Sequence, residues 1–118
     1  MNLAELFRYE TDLLVLSAGQ TLFKAGEQGD LMYVLMSGTA EIIVNNRVVE
    51  TAEAGAIVGE MAMIDEGTRS ATVIAKSDCQ WLPVNRMRFN FLVQQTPNFA
   101  LNVMRMIAAR LRRTDSFL

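Results

Sequence analysis

The residue types best suited to ligand chemistry lie between Gly59 and Thr72. Glu60 and Arg69 are nine positions apart, separated by a short apolar run and a glycine-containing turn. The planar guanidinium of an arginine donates a fork of hydrogen bonds that suits phosphate oxygens, and Ser70 adds a hydroxyl donor. A carboxylate only accepts hydrogen bonds, so Glu60 would repel a phosphate but would accept from a ribose hydroxyl. A loop that folds back on itself would therefore present one pocket suited to a sugar phosphate.

The composition argues against several classes of catalytic site. The 118 residues contain no histidine and one cysteine, Cys79, so the usual ligands of zinc, haem and iron–sulfur clusters are missing. Histidine-based nucleophilic catalysis and the commonest general base are missing as well. No Gly-x-x-x-x-Gly-Lys-Ser/Thr phosphate loop is present. We therefore expect a binding protein rather than an enzyme.

Length and hydropathy predict one domain over residues 1–118. With 51% hydrophobic and 20% charged residues, the chain can bury a core and does not have the composition of a disordered protein. No apolar run approaches the roughly 20 residues of a membrane span, and the N-terminus lacks the features of a secretory signal. Together with the single cysteine, these features lead us to expect a cytoplasmic protein without membrane contact.

Charge is distributed unevenly along the chain. Residues 1–78 contain twelve acids and five bases, whereas residues 79–118 contain six bases and one acid. One interpretation is a basic surface for nucleic acid or membrane. The other, which we favour, is that cations gather near the end of a C-terminal helix, where the helix dipole stabilises them.

Short apolar segments separated by glycine turns predict a mainly β fold, either a sandwich or a barrel. Asn45 and Asn46 are predicted to form a hairpin turn, because asparagine tolerates the left-handed region. Residues 3–9 are predicted to form a short helix before the strands, and residues 13–16 form an apolar run. The predicted strands are 21–23, 31–36, 39–44, 47–51, 56–58, 71–75 and 80–84.

From Asn85 onward the pattern becomes helical. Residues 87–95 are predicted to form one helix, and Thr96 followed by Pro97 is a start signal for a second. The apolar arc of the second helix spans roughly 200°, about twice the stripe of a helix that packs on one side only. We therefore expect this helix to have a second partner, which could be a ligand, another helix or a second copy of the chain. A deeply buried terminal helix is the alternative.

Two motifs resemble those of the cyclic nucleotide-binding domain family. Residues 26–38, Gly-Glu-Gln-Gly-Asp-Leu-Met-Tyr-Val-Leu-Met-Ser-Gly, are similar to the family's first glycine-rich turn and following strand. Residues 59–72, which include Gly-Glu-Met-Ala-Met-Ile and Thr-Arg-Ser-Ala-Thr, are similar to its phosphate-binding cassette. The resemblance extends from about Leu13 to Arg113. It implies a β jelly roll at about 12–85, with flanking N-terminal and C-terminal α-helices, the latter at about 86–114.

The resemblance also implies roles for residues of the cassette. Glu60 would bind the ribose 2′-hydroxyl, and Arg69 would pair with the cyclic phosphate. Ser70 and the backbone amide of Ala71 would support that phosphate, while the amide of Gly59 would approach the ribose. The implied ligand-binding set is Gly59, Glu60, Met61, Arg69, Ser70 and Ala71, with no metal, no catalytic residue and no cofactor other than the nucleotide.

The sequence departs from the family pattern at a few positions. Thr68 stands where many members have proline, and Asp65 and Glu66 place acids near the phosphate. The chain ends at Leu118, where the transcription-factor branch continues into a helix-turn-helix. We therefore expect no DNA-binding domain and no output domain in this chain.

We predict a regulatory sensor module that binds a cyclic nucleotide monophosphate. Ser70 favours cAMP over cGMP, since cAMP-responsive bacterial members have serine after the arginine. We expect the C-terminal helix to form a homodimer or to contact an unidentified protein partner. Three alternatives stay open: cGMP as the ligand, a jelly-roll interaction or dimerisation protein that has lost nucleotide binding, and a nucleic-acid binder that uses the arginines of the last helix.

Overall fold

The computed structural model describes residues 2–115, and the side chains up to residue 113. The outermost residues of the predicted domain, 1 and 116–118, lie outside the described residues. In chain order the elements are α1 (Leu3–Leu6), β1 (Leu14–Leu16), β2 (Thr21–Phe23), β3 (Met32–Ser37), β4 (Ala40–Val44), β5 (Arg47–Ala52), β6 (Ile57–Val58), a 3₁₀ helix (Glu60–Met63), β7 (Thr72–Ala75), β8 (Cys79–Val84), α2 (Arg86–Gln95) and α3 (Pro97–Asp115).

The strands form two four-stranded sheets, and every pairing within them is antiparallel. One sheet has the order β1-β8-β3-β6 and the other has the order β2-β7-β4-β5. Strands that are distant in sequence are therefore neighbours, as when β2 pairs with β7 and β1 pairs with β8. With helices at both ends, this arrangement confirms the predicted mainly β fold, a jelly roll with flanking helices.

Two apolar layers stabilise the fold, and β3 contributes to both of them. Met32 and Val34 point into a layer shared with the helices. Leu35, on the opposite face, points into the layer between the two sheets. Because successive side chains of a strand face opposite sides, a strand covered on both faces must be apolar along its length. This explains why β3 has no alternation of apolar and polar residues.

The predicted hairpin between β4 and β5 is confirmed. Asn45 and Asn46 both have positive φ, 52° and 62°, which is the backbone of a type I′ turn. The N-terminal helix is shorter than predicted, because it ends at Leu6 rather than at residue 9. At Phe7 the backbone leaves the helical region, with φ of −104° and ψ of 17°, while the buried Phe7 ring packs against Phe99.

Helix α3 is covered on one side only. Its buried residues Phe99 and Val103 pack into the layer that lies against the first sheet. Leu101, Met104 and Leu111 remain 41%, 58% and 61% exposed. The alternative of a deeply buried terminal helix is therefore wrong, and part of the apolar surface of this helix is open. Among the described residues, no helix combines the length and apolar character required to cross a membrane.

The ring of Phe99 is the centre of the contact between the helices. It is fully buried and meets Phe7 and Phe89 edge to face, at centroid distances of 6.2 and 5.6 Å. We expect Phe99→Ala to lower the free energy of unfolding by about 3–5 kcal/mol, measured by chemical denaturation. Phe91→Ala removes a ring of the same size that is 60% exposed and should cost less than about 1 kcal/mol. Equal losses in the two variants would contradict this role of Phe99.

Candidate functional site

The six site residues predicted from the sequence line one cavity of about 840 Å³. Its walls come from the segment 58–73, from strands β4 and β5, from the end of α3, and from Phe23 and Gly29. The segments 59–61 and 69–71 approach the cavity from the two ends of one loop. Gly59, Glu60, Met61, Arg69, Ser70 and Ala71 all belong to the lining.

Backbone hydrogen bonds join this loop to the other glycine-rich turn. The amide of Arg69 donates to the carbonyl of Glu27 at 2.8 Å, and the amide of Gly26 donates to the carbonyl of Arg69 at 2.8 Å. Gln28 and Thr68 form an isolated β-bridge beside them. The two motifs that carry the family resemblance are therefore one structural unit, which fixes the backbone at Arg69.

The side chain of Arg69 has buried donors with no acceptor. Its Nε and Nη1 atoms are buried, and neither has a hydrogen-bond partner in the described chain. Buried donors are nearly always paired in folded proteins, and an unpaired one is costly. Arg69 belongs to the cavity lining, so its unpaired donors mark a place where an anion with several oxygens could bind.

Glu60 lines the same cavity as this cation, and it follows a turn of the chain at Gly59. Gly59 has φ of 73° and precedes the 3₁₀ helix, whose first residue is Glu60. A Cβ atom at Gly59 would come within 2.6 Å of Nη1 of Arg69, so the lack of a side chain lets the guanidinium approach. Glu60 is only 9% exposed. A buried carboxylate and a partly buried cation with two unpaired donors therefore share one cavity.

Glu60 is instead paired with an arginine of α3, which the sequence did not predict. Nη1 of Arg110 donates to Oε1 of Glu60 at 3.0 Å. The other side of the guanidinium forms a fork with Glu50, from Nε to Oε1 at 2.9 Å and from Nη2 to Oε2 at 3.2 Å. Arg110 also donates to the carbonyl of Ile57. The end of α3 is thereby fastened to the carboxylate that was predicted to hold a ribose.

The charge of Arg110 is strongly stabilised. Burial alone would lower the pKa of its guanidinium, but the hydrogen bonds and charges of Glu50 and Glu60 outweigh burial and raise that pKa. Arg113 adds a second cation at 3.2 Å from Glu50. From the sequence, Arg110 was considered only among the arginines of the last helix that could bind nucleic acid, since no local pattern links a helix residue to acids 50 and 60 positions earlier in the chain.

A family model for the cyclic nucleotide-binding domain matches residues 13–96. This match covers most of the chain and includes both glycine-rich motifs. The fold and the cavity define a ligand-binding jelly roll, and the chain belongs to the cyclic nucleotide-binding domain family. Domains of this family are regulatory ligand-binding units, and they also occur as parts of enzymes.

Relatives and solved structures agree with this family. The chain is 30% identical to the cyclic AMP receptor protein of Thermus thermophilus over 102 residues, which are 82% of this chain and 47% of that protein. It is 27% identical to lysophospholipase NTE1 of Chaetomium globosum over 109 residues, which are 88% of this chain and 7% of that enzyme. The crystal structure of the Thermus thermophilus catabolite activator protein superposes with a TM-score of 0.79 at 28% identity, over 96% of this chain and 54% of that one. The chain thus spans less than half the length of both curated relatives.

Removing the cation between Glu50 and Glu60 should destabilise the protein. We expect Arg110→Met to lower the free energy of unfolding by about 2–4 kcal/mol, because two carboxylates that are 11% exposed would lose their shared partner. Urea denaturation measures this change. Arg112→Met, an exposed arginine on the same helix, is the control and should change stability by less than about 0.5 kcal/mol. A loss no larger than that of the control would contradict the fastening of α3 by Arg110.

Proposed function

We propose that this chain is a regulatory module that binds a cyclic nucleoside monophosphate, with cAMP as the preferred ligand. The observation that carries the proposal is the cavity in which Arg69 has unpaired buried donors beside the buried Glu60. Arg69 alone would be sufficient to bind a simple anion that has no sugar hydroxyls. The additional buried acceptor favours a ligand that has a phosphate at one end and sugar hydroxyls at the other.

In this proposal the phosphate pairs with the guanidinium of Arg69. The hydroxyl of Ser70 and the amide of Ala71, just before β7, donate hydrogen bonds to the same phosphate. The ribose 2′-hydroxyl donates to Glu60, and the amide of Gly59 lies close to the sugar. Met61, which is 49% exposed, contributes apolar contact at the rim of the cavity.

Two observations support cAMP rather than cGMP. Ser70 follows the cassette arginine, as it does in cAMP-responsive bacterial members. The chain is also similar over most of its length to a cyclic AMP receptor protein.

The link between Glu60 and Arg110 suggests how binding is passed on. A ribose hydroxyl that approaches Glu60 meets a carboxylate already held by α3. Ligand binding at Glu60 therefore changes the free energy of the conformation in which Arg110 holds α3. The population of this conformation, relative to others of α3, shifts accordingly. In this proposal the output is binding and movement of α3 rather than catalysis, and the lack of histidine in the sequence removes the commonest general base. The one cysteine, Cys79, is buried and forms no disulfide within the described residues, and we propose the cytoplasm as the compartment.

Titration calorimetry with cAMP and cGMP tests the site. Arg69→Ala should weaken cAMP binding by about 2–5 kcal/mol, or roughly 30- to several-thousand-fold, because the phosphate loses its cationic partner. Arg105→Ala, an exposed arginine outside the cavity, is the charge-matched control and should bind as the wild type does. Unchanged affinity in Arg69→Ala would refute the assignment of the phosphate site. A wild type that binds neither nucleotide would favour the jelly-roll interaction protein.

We further propose that α3 pairs with the same helix of a second copy. Leu101, Met104, Ala108 and Leu111 have the three–four–three spacing of a coiled-coil seam, and three of them are at least 41% exposed. Arg105 and Arg112 flank this seam on one side only, so a parallel pairing avoids placing them opposite each other. The exposed part of the apolar arc of α3 would then be covered by α3 of the second copy.

Met104→Glu should abolish this pairing, because it places a charge at the centre of the seam. Light scattering over a range of concentrations should show a dimer for the wild type and a monomer for the variant. Met87→Glu makes the same change at a residue of α2 that is 78% exposed, and this control should remain dimeric. A wild type that is monomeric at every concentration would count against the homodimer.

A further inference from the structure

The guanidinium of Arg69 lies against the ring of Phe23. The Cζ atom of Arg69 is 4.2 Å from the ring centroid, well within the range of a cation–π contact. Phe23 is the last residue of β2 and only 8% exposed. Its ring is anchored in the layer between the sheets, 6.1 Å from the ring of Tyr33. The cation therefore rests on a fixed surface of the core.

The missing side chain of Gly29 leaves room for the guanidinium. A Cβ atom at this position would lie only 2.3 Å from Nε and 2.4 Å from both Cζ and Nη2 of Arg69. Gly29 does not have the positive φ of Gly26 or Gly59, so its backbone does not require a glycine. The space occupied by the guanidinium does require one.

An aromatic partner orients a guanidinium without using its donors. A carboxylate would also hold Arg69, but it would accept the N–H groups and neutralise the charge, as Glu50 and Glu60 do for Arg110. A ring attracts the cation through its quadrupole, from the face of the group, and leaves the N–H edges free. This accounts for a side chain that is held in place while its Nε and Nη1 remain without acceptors.

We propose that Phe23 is a positioning residue that holds Arg69 ready for a phosphate before the ligand arrives. This inference rests on the proposed function for its consequence, although the orientation itself exists without ligand. A guanidinium that is already ordered loses less side-chain freedom on binding, and such preorganisation raises affinity. Phe23 itself lines the cavity, and its proposed contribution to binding acts through Arg69.

The first test is the affinity of Phe23 variants for cAMP by titration calorimetry. Phe23→Leu keeps an apolar side chain but removes the aromatic face, and we expect binding to weaken about 5- to 30-fold. Phe23→Tyr restores the face and should bind within about twofold of the wild type. Leu35→Ala damages the same core layer away from the cavity, so it should lower stability without changing affinity. If Phe23→Leu does not fold, Phe23→Met supplies the same test.

The second test needs no ligand. The ¹⁵N order parameter of the Arg69 Nε–H bond should exceed about 0.6 in the free wild type, the limit below which a group counts as flexible. It should fall below that limit in Phe23→Leu and recover in Phe23→Tyr. Loss of a structural core residue alone would not change the motion of this one bond.

Gly29→Ala reaches the same guanidinium without altering Phe23. We expect it to displace Arg69 and to weaken cAMP binding at least fivefold, by loss of the same orientation. Gln28→Ala is the control, since it changes an exposed residue of the same turn that does not line the cavity, and it should bind cAMP as the wild type does.

The outcomes separate this inference from the proposed function. If the wild type binds cAMP, and Phe23→Leu binds equally well with an unchanged order parameter, Phe23 is not a positioning residue. If the wild type binds neither cAMP nor cGMP, the proposed function fails and the role of Phe23 in binding fails with it. In that case the order parameter still decides whether the ring holds the guanidinium.

Discussion

The backbone hydrogen bonds that join Arg69 to the turn at residues 26–27 are the constraint on which the cavity depends. Both the amide and the carbonyl of Arg69 are bound to that turn, although more than forty residues separate them. They meet because β2 pairs with β7, which places Phe23 opposite Val73. The pairing of two distant strands therefore sets where the guanidinium lies, and the loop between Gly59 and Arg69 closes around it.

The two partly buried arginines of the cavity are used in opposite ways. The charge of Arg110 is compensated by two carboxylates, so this residue fastens α3 to the sheet and to Glu60. Arg69 lies on an aromatic ring instead, and its charge is left for a ligand. An arginine that forms a fork with a carboxylate serves structure, whereas one held by its face keeps its donors. This difference explains how one small cavity contains both a fixed anchor and an anion site.

Patterns of short range predicted the fold well. The strand Thr21–Phe23, the turn at Asn45 and Asn46, and the start of α3 at Pro97 agree with the structure. These features depend on alternation, on tolerance of positive φ and on the fixed φ of proline, all of which act locally. The helix predicted over residues 3–9 was too long, because the burial of Phe7 against a distant ring overrides helix propensity. The contact of Arg110 was not predicted, because it too joins residues that are far apart in the sequence.

The sequence by itself determined the residue types of the site and the family to which the chain belongs. The spacing of Glu60 and Arg69, the two glycine-rich motifs and the lack of histidine already pointed to a phosphate and a sugar rather than to catalysis. Only the tertiary structure decided which groups are paired. Arg110 pairs with Glu60, whereas Phe23 packs against the face of the Arg69 guanidinium and leaves its donors free. These two pairings join residues that are 50 and 46 positions apart. They follow from how strands and helices pack together, and no periodicity within a single segment encodes them.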